Sequence, residues 1–527
     1  MTFRAARWGA LLPLALVAVC LSCGGGGSSN GSTQQVSDPP PALQQQTPDT
    51  QSLTVDEVQA VINAVAAAAN DASVIAVTDR SGRPLAVFRK TGAPVTAMGN
   101  FSVTVDANDL AVNLARTAAF FSNDQAPLSS RTVRYLSGIH FPPGITNTSN
   151  APLYGIENTN RGCKLADNFA PGQALPQPLS LDGTTGLGMI TGKVDVYDSN
   201  QTAVNPGGVP VYKNGDVVGG VGVVGSTSEV SEYAAYAAAT GVVTTNPELA
   251  FLAVPAPGAV VINGITVPFV VQTTIPAGFS TDPTFTGSYF FGPVASPTPV
   301  PNGYLVNPQA GPIGGLSAAE VTAIVSNAVS TASVTRAVIR LPIGQRTRMV
   351  ISVADLDGTL LALYRMPDAT VFSVDVSVGK SRNMTWFNSQ QVNPADLPGV
   401  PVGTAVTNRT IGFGAQPLYP PGIDGSPPGP FFQLFVNDVQ HPCTQGSQPS
   451  QGVKQSGIVF FPGSVGLYRN GVLVGGLGVS GDGVDQDDYV TAGGGAGYEA
   501  PANIRADQII DQGVRLPYQK FPRNPTD

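Results

Sequence analysis

Histidine is almost missing from this sequence: His140 and His441 are the only two among 527 residues. Zinc enzymes and hydrolases with a catalytic histidine need that residue within a defined set of partners. The two histidines lie far apart, and neither a Cys-x-x-Cys-His stretch nor a nucleophile-elbow pattern occurs. The sequence therefore gives no support to zinc catalysis or covalent haem attachment, and we interpret both histidines as turn or insert residues.

Charge is scarce as well. Only 12% of the residues are charged, the formal net charge is −8, and no cluster of Lys and Arg is present. Because proteins that bind nucleic acids need clustered cations for the phosphates, we expect no nucleic-acid partner. The 61 glycines and 46 prolines favour β-structure with long turns and inserts.

The N-terminus has the pattern of a bacterial secretory signal, with arginines before an apolar run that is too short to span a bilayer. The stretch Cys20-Leu21-Ser22-Cys23, followed by four glycines, is typical of a lipoprotein processing site. We predict that residues 1–22 are a lipoprotein signal peptide and that Cys23 carries the lipid. That places the protein in the bacterial cell envelope, anchored on the periplasmic side or at the cell surface. A secreted protein without a lipid is the alternative.

Residues 23–52 are rich in Gly, Ser, Gln and Pro and contain few apolar side chains. Such a segment cannot bury enough apolar surface to order itself, so it predicts a flexible, disordered tether.

The rest of the chain is similar to itself. Five elements each occur twice in the same order. They are a helix with a capping box, a hairpin, a second helix, a segment that runs from Arg-Thr to Pro-Pro-Gly-Ile, and a closing hairpin. We interpret this order as a tandem duplication. The matching stretches are 53–70 with 316–333, 74–93 with 350–369, 109–123 with 375–389, 131–145 with 409–423, and 206–225 with 462–481.

Each closing hairpin contains a Gly-x-Gly-x-x-Gly stretch, which is the spacing of a dinucleotide-binding loop. That loop requires the first strand of a parallel βαβ unit, whereas an Asn-Gly turn directly before each stretch predicts antiparallel pairing. We therefore expect these glycines to let a strand pass close to another backbone or to a flat ligand. The glycines concerned are Gly220 and Gly222 in the first copy and Gly476 and Gly478 in the second.

These elements, in this order, resemble the GlcG/HbpS-like family of haem-binding proteins. The resemblance implies an α+β fold of two profilin-like (GlcG-like) domains, each an antiparallel sheet with packed helices. It assigns residues 53–281 and 316–527 to the two repeats, each with an insert, and 282–315 to a Pro/Gly-rich linker. It also implies a pseudo-dimer within one chain, or a homo-oligomer.

The resemblance implies that the ligand is haem or a related tetrapyrrole, bound non-covalently. Arginine suits a haem propionate and tyrosine can ligate haem iron. Structural alternatives stay open, namely a structural ion pair or solvated helix face for the arginines and a core or sheet-face position for the tyrosines. The candidate cofactor-binding residues are Arg116, Arg382, Tyr212, Tyr468 and the four glycines named above.

Cys163 and Cys443 are the only cysteines after Cys23, and they occupy corresponding inserts. In a pseudo-twofold arrangement, equivalent positions near the axis approach each other. In an oxidising compartment we therefore expect a disulfide between them, with two buried or separate thiols as the alternative.

Three functions are compatible with these features. The first is a haem- or tetrapyrrole-binding lipoprotein of the cell envelope. The second is a scaffold or protein-interaction lipoprotein on the same duplicated domains, with no ligand. The third is an enzyme acting on a tetrapyrrole or a small organic acid, although no set of acid, base and nucleophile stands out, so whether the protein is an enzyme stays open.

Overall fold

The structure is a computed structural model. The predicted signal peptide, Cys23 and the predicted tether up to residue 50 lie outside the described residues. The residues that the structure describes are 51–99, 104–156, 159, 163, 206–239, 260–262, 264–296, 301–441, 443–447 and 454–527.

The first half of the chain forms a five-stranded antiparallel sheet between helices. Helix α1 packs with helix α4 on one face, and helix α2 packs on the other. Alternate residues of β1 serve the two faces: Ile75 and Val77 face α1 and α4, whereas Val74 and Ala76 face α2. The strand order is β5-β6-β1-β2-β9. The elements are α1 Val55–Ala68, β1 Val74–Asp79, β2 Pro84–Lys90, β3 Thr96–Met98, β4 Thr104–Asp106, α2 Ala107–Phe121, α3 Ser130–Ser137, β5 Gly208–Lys213, β6 Asp216–Val224, α4 Ser228–Ala239, β7 Val260–Ile262, β8 Ile265–Val267 and β9 Gly287–Phe291.

The second half has the same layers. Helices α5 and α9 pack together on one face of a second five-stranded antiparallel sheet, and α6 packs on the other. Its strand order is β10-β12-β11-β14-β13, which is the order of the first sheet when equivalent strands are matched. The elements are β10 Gly303–Val306, α5 Ala318–Val334, β11 Val350–Ala354, β12 Leu360–Arg365, α6 Phe372–Phe387, α7 Asn408–Gly414, α8 Phe432–Gln440, β13 Ser464–Arg469, β14 Val472–Ser480, α9 Val484–Gly494, β15 Ile510–Asp511 and β16 Val514–Arg515.

Local signals in the sequence account for these elements. The predicted capping box is present at α1: the Thr54 hydroxyl accepts from the Glu57 amide, and the Glu57 carboxylate accepts from the Thr54 amide at 2.7 Å. The same reciprocal pair, Ser317 and Glu320, begins α5. Asn214 and Asn470 have φ of 52°, which is the left-handed geometry that an Asn-Gly hairpin turn needs.

The segment 282–315, predicted to be a Pro/Gly-rich linker, contributes to both sheets. Strand β9 pairs with β2 at the edge of the first sheet, and β10 pairs with β12 at the edge of the second. The first half therefore gains its fifth strand after its last helix and the second half gains its fifth strand before its first helix. Gly and Pro flank both short strands, so the composition of the segment does not indicate that it contains strands.

The halves pack directly against each other. Phe121 of α2 stacks on Phe372 of α6 with ring centroids 4.2 Å apart, and the Val371 amide donates to the Phe120 carbonyl at 3.1 Å. Arg80 also reaches the Asp368 carboxylate at 3.2 Å. In the described part of the chain, no helix combines the length and apolar character needed to cross a bilayer.

Candidate functional site

The glycines of the two closing strands contact helices, not open space. A Cβ atom on Gly220 or Gly222 would lie 2.0 Å from a carbonyl oxygen of α2. On Gly476 or Gly478 it would lie 2.2 Å from a carbonyl oxygen of α6. Since β6 and β14 run antiparallel to both of their neighbours, neither is part of a βαβ unit. Of the two expected roles of the glycines, the close approach to another backbone is the one that the structure displays.

Arg116 and Arg382 occupy equivalent places inside the two halves. Each is 1% exposed, and each donates from Nε to a hairpin carbonyl, Gly82 at 3.0 Å and Gly358 at 2.9 Å. Burial lowers the pKa of Arg116 to about 9 and that of Arg382 to about 10. In each half, the guanidinium group therefore connects the second helix to the first hairpin by a hydrogen bond.

The two candidate tyrosines are also buried, each 5% exposed. The Tyr212 hydroxyl donates to the Asn123 carbonyl at 2.7 Å, and burial raises its pKa well above the usual value. Tyr468 packs with Ala405, Ala500 and Tyr518, and burial raises its pKa as well. A phenol ligates iron as the phenolate, so burial that raises the pKa works against that role at these positions.

Cys163 and Cys443 form a disulfide, with Cα atoms 5.3 Å apart. The bond joins the insert of the first half to the insert of the second across 280 positions of sequence. The histidines have separate surroundings: His140 is buried with Nε2 3.2 Å from an Asp424 carboxylate oxygen, and His441 ends α8. Among the described residues there is no group of three His, Cys, Asp or Glu side chains that could hold a metal ion.

A cleft of about 720 Å³ lies between the first insert and the second half. Its size lies within the range of about 300–1,000 Å³ that is usual for small-molecule sites. Residues 149–152 and Tyr154 line one side, and α7, the start of α9 and residues 517–523 line the other. The cleft therefore depends on contacts between segments that lie hundreds of positions apart in the chain.

Aromatic and aliphatic side chains form an apolar surface in the cleft. Phe460 and Phe461 are 2% and 1% exposed, and Phe413 and Val484 lie beside them. Phe435 meets Phe460 edge to face at 5.1 Å and stacks on Tyr154 at 5.2 Å, which fixes the ring of Tyr154 at the cleft wall. Such a surface suits a flat, apolar molecule.

Basic side chains surround this apolar surface. The described residues that line the cleft include four cationic side chains and one carboxylate. The whole chain, in contrast, has a formal charge of −8. Asp485 is that carboxylate, and it binds Arg409 at 2.6 Å and Lys520 at 2.8 Å. The excess of positive charge favours an anionic ligand. The cations are Arg336, Arg409, Lys520 and Arg523.

A buried charge cluster lies directly behind the cleft. Arg409 also binds Asp488 at 2.5 Å, and the fully buried Lys380 binds Asp487 at 2.9 Å. The Lys380 ammonium lies 5.0 Å from the centre of the Phe461 ring. Phe461 is one of the residues that line the cleft. Burial raises the pKa of Asp487 to about 7.

None of the cleft residues is among the predicted site residues. Arg409 could have been found from the repeat, because it matches Arg131 in the first copy. Tyr154, Phe460 and Arg523 have no such signal, because their role depends on the packing of the inserts and the C-terminal segment.

Comparisons with known proteins agree with the family resemblance. Residues 327–494 match the family model described as "Haem degrading protein HbpS-like". This range runs from within α5 to the end of α9. The resemblance to the HbpS-like family is confirmed, and these residues carry it. No curated protein matches the chain.

Three solved structures are similar to about a third of the chain. A PduOC–haem complex is 22% identical and covers 34% of this chain and 93% of its own, with a TM-score of 0.23. The protein ORFY of Klebsiella pneumoniae is 18% identical over 35% of this chain and 90% of its own, with a TM-score of 0.23. A double mutant of HbpS from Streptomyces reticuli is 17% identical over 34% and 85%, with a TM-score of 0.21.

Proposed function

We propose that the protein binds haem or a related tetrapyrrole non-covalently in the cleft between the first insert and the second half. The observation that carries this proposal is the combination of an aromatic surface with an excess of cations, in a cavity of about 720 Å³. A tetrapyrrole offers the matching features, because it has a flat apolar ring and carboxylates at one edge. The family match of residues 327–494 supports the same ligand class.

The residues present fit such a ligand in two respects. Phe413 would contact the ring, and the almost fully buried Phe460 and Phe461 would form an apolar floor that keeps water out. Arg336 and Arg523 lie where carboxylates could be bound. Bound haem would supply an iron centre that needs a ligand from His, Met, Cys or Tyr.

Among the described residues that line the cleft, Tyr154 is the side chain of a type that ligates iron. It is 4% exposed and its hydroxyl donates to the Ala415 carbonyl at 3.5 Å, so burial opposes iron ligation here as it does at Tyr212 and Tyr468. The ring and the carboxylates of a tetrapyrrole would therefore have partners in the cleft, whereas the described residues that line it offer the iron only this buried tyrosine.

We also propose that the two halves arose by tandem duplication and act as an intrachain pseudo-dimer. The equal strand order of the two sheets supports this relation. The position of the protein follows from the N-terminal sequence: lipidation of Cys23 would anchor it in the cell envelope, with residues 23–52 as the tether.

A scaffold without a ligand is the second candidate. One observation favours it: both glycine-bearing strands are covered by helices, and Arg116 and Arg382 are buried and hydrogen-bonded within the chain. On this interpretation the inserts would contact another protein.

A haemin titration separates these candidates. The chain is prepared with Cys23→Ser to prevent lipidation, and absorbance is followed at the Soret band. We expect a saturable shift with one haem per chain, because the cleft combines the first insert with the second half and so is built once per chain. Absence of a shift at micromolar haemin would favour the scaffold. Loss of the bound haem spectrum after a reductant is added would indicate turnover, which is the enzyme alternative.

As a matched pair of variants, Phe413→Ala removes a ring that lines the cleft, whereas Phe285→Ala removes a ring that packs on Phe88 in the first half. We expect weaker haemin binding only for Phe413→Ala. Equal binding by both variants would place the ligand elsewhere.

A further inference from the structure

The C-terminal segment, residues 517–527, forms one wall of the cleft and is held in place at several points. The Arg336 amide donates to the Pro525 carbonyl at 2.7 Å, and its guanidinium donates to the carbonyls of Asn524 at 3.0 Å and Arg523 at 2.9 Å. On the other side of Arg523, the Lys520 amide donates to an Asp488 carboxylate oxygen at 3.0 Å. The backbone at Arg523 is therefore fixed at the cleft from both directions.

The four cations of the cleft differ in how they are used. Arg409 binds two carboxylates, Lys520 binds Asp485, and the Arg336 guanidinium binds two carbonyls of the C-terminal segment. The Arg523 side chain is exposed and has no hydrogen bond or ion pair with the residues that the structure describes. Arg523 can therefore bind a ligand without giving up a partner in the described chain.

The first half lacks this cation. In the second half, the Pro517 and Tyr518 carbonyls of the C-terminal segment accept hydrogen bonds from the hydroxyls that cap α7. In the first half, the Pro268 and Phe269 carbonyls accept hydrogen bonds from the hydroxyls that cap α3. Counting forward from each proline, Thr274 corresponds to Arg523. The segment also lies beyond residue 494, where the family match ends.

We propose that Arg523 binds a carboxylate of the ligand, so that the cleft selects flat apolar molecules with carboxylates at one edge over their uncharged analogues. This inference rests on the proposed function, since it concerns the ligand of the same cleft. A guanidinium can bind a carboxylate through two parallel N–H···O bonds, which gives direction as well as attraction. Arg523 thereby sets the orientation of the ligand, with its carboxylates toward the C-terminal segment and its ring against the phenylalanines.

The test uses two probes of the same ring, protoporphyrin IX and its dimethyl ester, with the full chain carrying Cys23→Ser. Neither probe contains iron, so fluorescence reports binding without any contribution from an axial ligand. For Arg523→Gln we expect binding of the dicarboxylate to weaken by about fivefold and binding of the ester to stay unchanged. Arg523→Lys keeps the charge but not the bidentate geometry and should lie between.

The matched control is Arg515→Gln, which removes a cation of the C-terminal region whose side chain is 71% exposed and lies outside the cleft. We expect it to bind both probes like the parent chain. Unchanged binding of the dicarboxylate by Arg523→Gln would overturn the inference while leaving the proposed function standing. An equal loss for both probes would also overturn it, because it would show that Arg523 acts on the shape of the cleft. Failure of the parent chain to bind haemin or either probe would overturn the proposed function itself.

Discussion

In both halves a helix packs small residues against a glycine-bearing strand, but only the second half buries a lysine–aspartate pair beside that contact. Lys380 and Asp487 are 2.9 Å apart and buried. In the matching stretches of the first half, Leu114 stands in place of Lys380, and Ser231 stands in place of Asp487. Both halves nevertheless form the same order of strands. The buried pair is therefore not a requirement of the fold.

Another charge pair is present in both halves. Arg131 binds Glu232 at 2.6 Å between α3 and α4, and Arg409 binds Asp488 at 2.5 Å between α7 and α9. This pair holds the segment after the second helix to the last helix in each half. Shared interactions thus define the frame, and the unshared pair lies behind the cleft of about 720 Å³.

The cleft has a further asymmetry. The fully buried Arg134 stands in α3 where the second half has Gly412 in α7. Gly412 lies against the Phe460 backbone so closely that a Cβ atom would meet its carbonyl oxygen at 1.8 Å. A large side chain at this point would displace Phe460 from the cleft. A close approach of two backbones, which glycine permits, therefore distinguishes the second half at the wall of the larger cleft.

The largest expected effect comes from breaking the unshared pair. Lys380→Leu leaves Asp487 buried without its cation, and we expect it to lower the free energy of unfolding by about 3–5 kcal/mol. The double variant Lys380→Leu/Asp487→Ser installs the residues of the first half and should recover to within about 1 kcal/mol of the parent. Denaturant unfolding measures both. A double variant as unstable as the single one would show that the pair itself stabilises the second half.

A smaller effect is expected at the shared helix–strand contact. Gly222→Ala and Gly478→Ala each place a methyl group against a helix carbonyl, and we expect each to lower the free energy of unfolding by about 2–3 kcal/mol. Similar losses would show that the two halves use the contact equally. Gly495→Ala is the control, because the nearest atom to its Cβ would be 3.1 Å away and its φ is negative. A large loss for only one of the two glycines would contradict the equivalence of the halves.

A third difference is the contribution of Asp124, a residue of the first half, to the pH dependence of stability. Burial raises the pKa of Asp124 from 3.8 to about 6, although Arg80 opposes the shift. The folded protein therefore keeps this proton at pH values where the unfolded chain has released it, so the free energy of unfolding falls as the pH rises from about 4 to about 6. The second half has Gln390 at the matching position, so this contribution is not shared, although the raised pKa of Asp487 adds a separate one of the same sign.

Asp124→Asn should make the dependence of stability on pH less steep over this range, as thermal unfolding at a series of pH values would measure. Asp56→Asn, at an exposed position of α1, is the control and should leave the slope as it is. An unchanged slope in Asp124→Asn would assign the dependence to another group.

The sequence predicted the repeated elements well, because their signals are local. The capping boxes at Thr54 and Ser317 and the Asn-Gly turns at Asn214 and Asn470 specify a helix start or a hairpin within a few residues. The repeat strengthened each signal by presenting it twice. One corresponding pair of segments, Pro268-Phe269 and Pro517-Tyr518, was not recognised from the sequence. The residues around these two segments are too different for the similarity to be seen.

The sequence alone thus determined the helices, the hairpins and their antiparallel pairing, since each depends on periodicity, caps and turns over short distances. Only the tertiary structure decided that Arg116 and Arg382 point into the halves, that β9 and β10 complete separate sheets, and that Tyr154, Phe460 and Arg523 line one cleft. The physical reason is that burial and close approach depend on the summed packing of distant segments. No short stretch of this chain contains that information.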